Sequence, residues 1–76
     1  MQENQKIENI IRQRLIESIK QSGMSNTAIA KLANIHVSMI TDYKNTSKLP
    51  SLATFADLCR ILDVSADYIL GLTERL

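Results

Sequence analysis

Apolar residues recur at helical spacing along almost the whole chain, and that period leaves little choice of architecture. Ile7, Ile11, Leu15 and Ile19 stand four apart, with Ile10 and Ile16 flanking the stripe and charged or amide side chains opposite. A stripe of that period is one face of an α-helix. It predicts a first helix over about 4–22, ended by Gly23, a residue suited to the positive φ that follows a last turn. Residues 1–5 are expected to fray. Two glycines and one proline are too few for the many tight turns of an all-β chain.

The remaining segments read the same way. Ser25 is a good N-cap for a short helix over 26–33, with Ala28, Ile29, Leu32 and Ala33 as its apolar positions. Asn34 follows, one of the few non-glycine residues that accept a left-handed backbone. A third helix is expected over 37–44, with Ile40 and Tyr43 facing inward. The stretch 45–48 is polar and turn-like. Pro50 cannot continue a helix, and Ser51 caps the next one. Leu52, Phe55, Cys59 and Leu62 share a face at helical spacing, widened by Leu58 and Ile61. Ser65 caps a last short helix that stops by Gly71. Tyr43, Phe55, Leu58 and Cys59 are core candidates, with Met24. Met39 is the methionine expected at the surface. The fold class is all-α: a compact five-helix domain over 1–76, with 72–76 as a tail or dimer contact.

Several classes of function fall away. The longest unbroken apolar runs are two to three residues, far short of the ~20 that a spanning helix needs. The single Cys59 makes no intramolecular disulfide and no cysteine zinc cluster, and an unpaired thiol suits the cytoplasm. Asp57, Asp63 and Asp67 are spaced too widely, with helix caps between, to form a metal loop. No Ser-His-Asp set and no glycine-rich phosphate loop is present, so no enzyme activity, cofactor, metal or small-molecule ligand is expected. Charge is uneven. Residues 1–48 hold seven Lys or Arg against four acids and 49–76 hold two against four, so +3 and −2 within a net charge of +1. The basic half is where a nucleic-acid face would lie.

The stretch from Ser25 to Lys44 carries the chemistry. Two short helices with a tight turn between them cross steeply, share an inner side and leave the outer side of the second free. A free helix fits the major groove of B-DNA, and the spare N–H groups at a helix start, here Ser25 to Ala28, can hold phosphate.

These residues resemble a family. Met24-Ser-Asn-Thr-Ala-Ile-Ala-Lys-Leu-Ala-Asn-Ile-His-Val-Ser-Met-Ile-Thr41 is similar to the helix-turn-helix of phage-repressor-like (Xre/Cro type) DNA-binding domains. Leu49-Pro-Ser-Leu52, Leu58 to Ser65 and Asp67-Tyr-Ile-Leu-Gly71 resemble the family's fourth and fifth helices, so the likeness covers roughly 11–73. It implies a lambda-repressor-like fold and a bacterial or phage-derived, cytoplasmic transcriptional regulator, a repressor, bound to double-stranded DNA as a homodimer. By position it implies base reading by Val37, Ser38, Thr41 and Asp42. It implies phosphate contacts by Ser25, Asn26, Lys44, Asn45, Ser47 and Lys48.

Departures from the family pattern sharpen this. Asn34 stands where glycine is common, and His36 where a capping serine is common. Ile19 and Lys44 occupy the places of a frequent Arg–Glu pair, which frees Lys44. The base-reading row has no Arg or Gln for a strong bidentate contact. Val37 can only pack on a thymine methyl, and Asp42 repels phosphate while accepting from cytosine N4. Modest affinity per monomer is therefore expected, raised by dimerisation on a two-fold site. The alternative reading of the same residues is a protein-interaction module that keeps the fold and has lost DNA binding.

Overall fold

The computed structural model describes the backbone of residues 2–75 and the side chains of residues 6–75. Five helices follow in order: α1 Gln2–Gln21, α2 Asn26–Ala33, α3 Val37–Asn45, α4 Leu52–Leu62 and α5 Ala66–Ile69. No strand occurs among the described residues. Helix α2 begins and ends where the sequence placed it, and α3 runs one residue further. Helix α1 starts at Gln2, two residues before the expected start. Met1 and the side chains of residues 2–5 lie outside the described residues.

The helix starts are set by side-chain oxygens. Ser25 Oγ accepts from Ala28 N–H at 3.0 Å, Ser51 Oγ from Thr54 N–H at 3.2 Å and Ser65 Oγ from Tyr68 N–H at 3.2 Å. Each satisfies one of the N–H groups that a first helical turn leaves open.

The helix ends repeat one device. Asn34 has φ 57° and Ile35 N–H donates to Ala30 C=O at 3.0 Å. Asp63 has φ 56° and Val64 N–H donates to Cys59 C=O at 3.0 Å. Gly71 has φ 80° and Leu72 N–H donates to Asp67 C=O at 2.9 Å. This is the Schellman closure, a left-handed residue followed by an apolar one. It folds Ile35 and Val64 back against the core.

The core draws on every helix. Leu15 and Ile19 of α1 meet Ile29, Ala30 and Ala33 of α2 and Ile40 and Tyr43 of α3. Phe55, Leu58, Cys59 and Leu62 of α4 and Ile69 of α5 complete it. Met24 packs against this cluster, and so does Met39, which is half-buried rather than on the surface. The α1 stripe overshoots the core: Ile7 and Ile10 are exposed.

Arg14 ties α1 to α5 and the tail that follows it. Its guanidinium donates to Tyr68 C=O, to Thr73 C=O at 3.0 Å and to both oxygens of Glu74 at 3.1 and 3.2 Å. It also lies over the Tyr68 ring, 4.2 Å from the centroid. Near this clamp the apolar residues at the C-terminal end differ in exposure. Ile69 is fully buried and Tyr68 half-covered, while Leu72 is exposed. Leu76 lies outside the described residues.

Candidate nucleic-acid interface

Helix α3 buries Ile40 and Tyr43 and half-buries Met39, which turns the opposite side outward. Val37, Ser38 and Thr41 are exposed on that side, and Asp42 is half-exposed beside them. Spacings of one, four and five residues place these four on one helical face. All four positions suggested for base reading therefore come together on the free side of α3.

The start of α3 is built by His36. Ser38 N–H donates to His36 Nδ1 at 3.2 Å, and the Ser38 hydroxyl lies 2.9 Å from the same nitrogen. The one lone pair of Nδ1 accepts from the Ser38 amide, with the hydroxyl held beside it. Histidine thus does the work of the usual serine cap. The Ser38 hydroxyl, held beside the His36 ring, is exposed on the outward side of α3.

The candidate phosphate residues fall into two groups. Ser25 and Asn26 stand at the start of α2, and Lys44 Nζ lies 3.5 Å from Asn26 Oδ1. This joins the two helices of the motif at one edge. Asn45, at the last position of α3, is exposed, as are Ser47 and Lys48 in the turn that follows. Thr46, which sequence reasoning left as plain turn, organises that segment. Its N–H and hydroxyl both donate to Asp42 C=O, at 2.8 and 2.7 Å, and its oxygen accepts from Lys48 N–H at 3.1 Å. The turn brings Lys48 Nζ to 3.6 Å from Asp42 Oδ2. A base-reading candidate and a phosphate candidate are thus paired with one another.

The helix-turn-helix family model matches residues 15–69. The chain belongs to the phage-repressor-like (Xre/Cro type) helix-turn-helix family. A curated relative from Bacillus subtilis (strain 168), "Uncharacterized HTH-type transcriptional regulator YobD", is 39% identical over 62 residues. The match takes in 82% of this chain and 55% of that protein, so the chain spans about half the relative's length. No solved structure matches the chain.

Within the family this chain replaces one inter-helix tie by another. Ile19 is buried in the core where a frequent arginine would stand, and Lys44 turns to Asn26. Behind the face, the Tyr43 hydroxyl is buried and makes no hydrogen bond. Burial, and then the neighbouring Asp42 carboxylate, push its pKa up.

No group of His, Cys, Asp and Glu fit to hold a metal ion occurs among the described residues. No helix there is long and apolar enough to cross a membrane.

Proposed function

We propose that this chain is a sequence-specific double-stranded-DNA-binding transcriptional regulator, acting as a repressor, with α3 in the major groove. The observation that carries the reading is the free face of α3. Val37, Ser38, Thr41 and Asp42 share it, while phosphate donors flank it at the start of α2 and in the turn after α3. Membership of a helix-turn-helix family and likeness to a protein named as a transcriptional regulator support it.

In this reading Ser25 and Asn26, with the open N–H groups of α2, hold one phosphate together with Lys44. Asn45, Ser47 and Lys48 hold another. Val37 packs on a thymine methyl, Ser38 and Asp42 accept from base amino groups, and Thr41 serves either role. The working unit is a homodimer on a two-fold site in the bacterial cytoplasm. Exposed Ile7, Ile10 and Leu72 support a dimer contact. Gly71, the residue before Leu72, packs close to α1: a β-carbon there would stand 3.3 Å from Ile10 Cγ2. Residues 1–76 act as one domain in this account.

A second reading, a protein-interaction module without DNA binding, draws support from the anionic Asp42 on the face and the net charge of +1. Selection of bound duplexes from a random pool tests the first reading. It predicts enrichment of one two-fold sequence; a pool that stays random after repeated rounds contradicts sequence-specific binding.

A further inference from the structure

The Asp42–Lys48 pair sits where an interface for a polyanion would be expected to show a bare cation. Asp42 and Lys48 are partly exposed, their side chains at 41% and 59%. The pairing is built rather than incidental. Thr46 donates twice to the Asp42 carbonyl and accepts from Lys48 N–H, so the backbone returns Lys48 to the helix that carries Asp42. An exposed ion pair is weak, and a phosphate can compete for its lysine.

Resting on the DNA-binding reading above, we propose that Asp42 is a specificity-determining residue that acts through Lys48. Its carboxylate occupies the place of a phosphate on Lys48 and releases the lysine without loss only where a cytosine amino group replaces it.

A free lysine that binds phosphate displaces a condensed cation from DNA, and that release drives non-specific binding. A lysine taken from a carboxylate leaves that carboxylate unpaired beside the phosphates, so the net positive charge that the contact brings to DNA is close to nil. Non-specific DNA therefore gains little from Lys48 and meets the repulsion of Asp42. On a site with cytosine at the facing step, N4–H donates to the Asp42 carboxylate. The negative charge is then satisfied, and Lys48 reaches phosphate at full effect. A pair of modest strength thus suppresses binding to wrong sequences more than to the right one.

The test uses wild type, Asp42→Ala, Lys48→Ala and the double variant, titrated by fluorescence anisotropy. Each is measured on a random duplex and on the duplex selected by wild type. Asp42→Ala is expected to tighten the random duplex about 3- to 10-fold and steepen its log–log salt slope by ~0.9 per chain. It is expected to reduce discrimination by roughly 5- to 150-fold, the range of one good base contact. On the random duplex, Lys48→Ala should cost little in the wild-type background and several-fold more beside Asp42→Ala. Asp42→Asn, which keeps the shape and removes the charge, should also tighten the random duplex. Equal costs of Lys48→Ala in both backgrounds, or no tightening by either Asp42 variant, would overturn the proposal alone. Failure of every protein to bind any duplex would overturn the DNA-binding reading and this proposal with it.

Discussion

Lys44 Nζ, on the last turn of α3, lies 3.5 Å from Asn26 Oδ1 at the first position of α2. The contact spans the helix-turn-helix motif and brings a cation to the start of α2, where open N–H groups collect. Unlike Lys48, Lys44 has an amide and not a carboxylate for a neighbour, so its charge stays available. Lys44→Ala should weaken binding to selected and random duplexes by a similar factor and flatten the log–log salt slope by ~0.9 per chain. Anisotropy titrations across a salt series measure both. A loss confined to the selected duplex would contradict a phosphate role.

Arg14 carries more of the fold than its place on a helix surface suggests. It satisfies two carbonyls at the end of α5 and in the tail, pairs with Glu74 and stacks on Tyr68. Arg14→Ala should lower stability by ~1–3 kcal/mol, the cost of leaving charge-assisted hydrogen bonds unmade. Arg14→Lys should recover only part, since an ammonium lacks the planar fork. Chemical denaturation reads the loss. Faster proteolysis within 70–75 in the alanine variant should accompany it.

Tyr43 packs its ring in the core, 1% exposed, while its hydroxyl makes no hydrogen bond. A buried polar group without a partner costs stability, and its removal without change of shape relieves that cost. Tyr43→Phe should therefore leave stability unchanged or raise it by up to ~1 kcal/mol, read as an equal or higher melting temperature. A clear drop in the melting temperature would show that the hydroxyl contributes favourably.

Burial also pushes the Cys59 thiol above its ordinary value of 9.0, and Tyr43 above 10.0. The unfolded chain then loses these protons first as pH rises. Stability from both groups is fully present below the ordinary values and is lost as pH climbs through them toward the folded ones. Urea unfolding followed from neutral pH upward should show a decline beginning near 9.0. The decline should be shallower for Cys59→Ala than for wild type. Identical pH profiles would contradict this assignment.

What the sequence made legible was local. Ser25, Ser51 and Ser65 cap helices because a serine hydroxyl reaches an N–H two or three residues on, a relation contained within one turn. Asn34 takes its left-handed backbone for a similarly local reason. Tyr43, Phe55, Leu58 and Cys59 declared themselves as core by period. The free face of α3 followed from the same period, since burying Ile40 and Tyr43 leaves Val37, Ser38 and Thr41 outside.

What escaped depends on contacts between distant or differently aimed groups. Asp63 repeats the Asn34 device, yet aspartate is as common at helix starts, and nothing local separates the two uses. Nothing in the spacing of Arg14, Tyr68 and Glu74 announces a clamp across 54 to 60 residues. His36 reads as a poor cap until its ring nitrogen is seen to accept from Ser38. Asp42 and Lys48 have separate meanings in a row of letters. Only the turn held by Thr46 makes them one unit.

Duplex binding by the outer face of α3 is tested most directly by a fluorescence-anisotropy titration of the purified chain, from low to raised ionic strength, with a duplex selected from a random pool and a scrambled duplex. We expect saturable binding to both at low salt, a linear fall of log affinity with log salt and a persistent preference for the selected duplex. Absence of salt-sensitive binding to either duplex at low ionic strength would contradict DNA binding and leave the protein-interaction reading in its place.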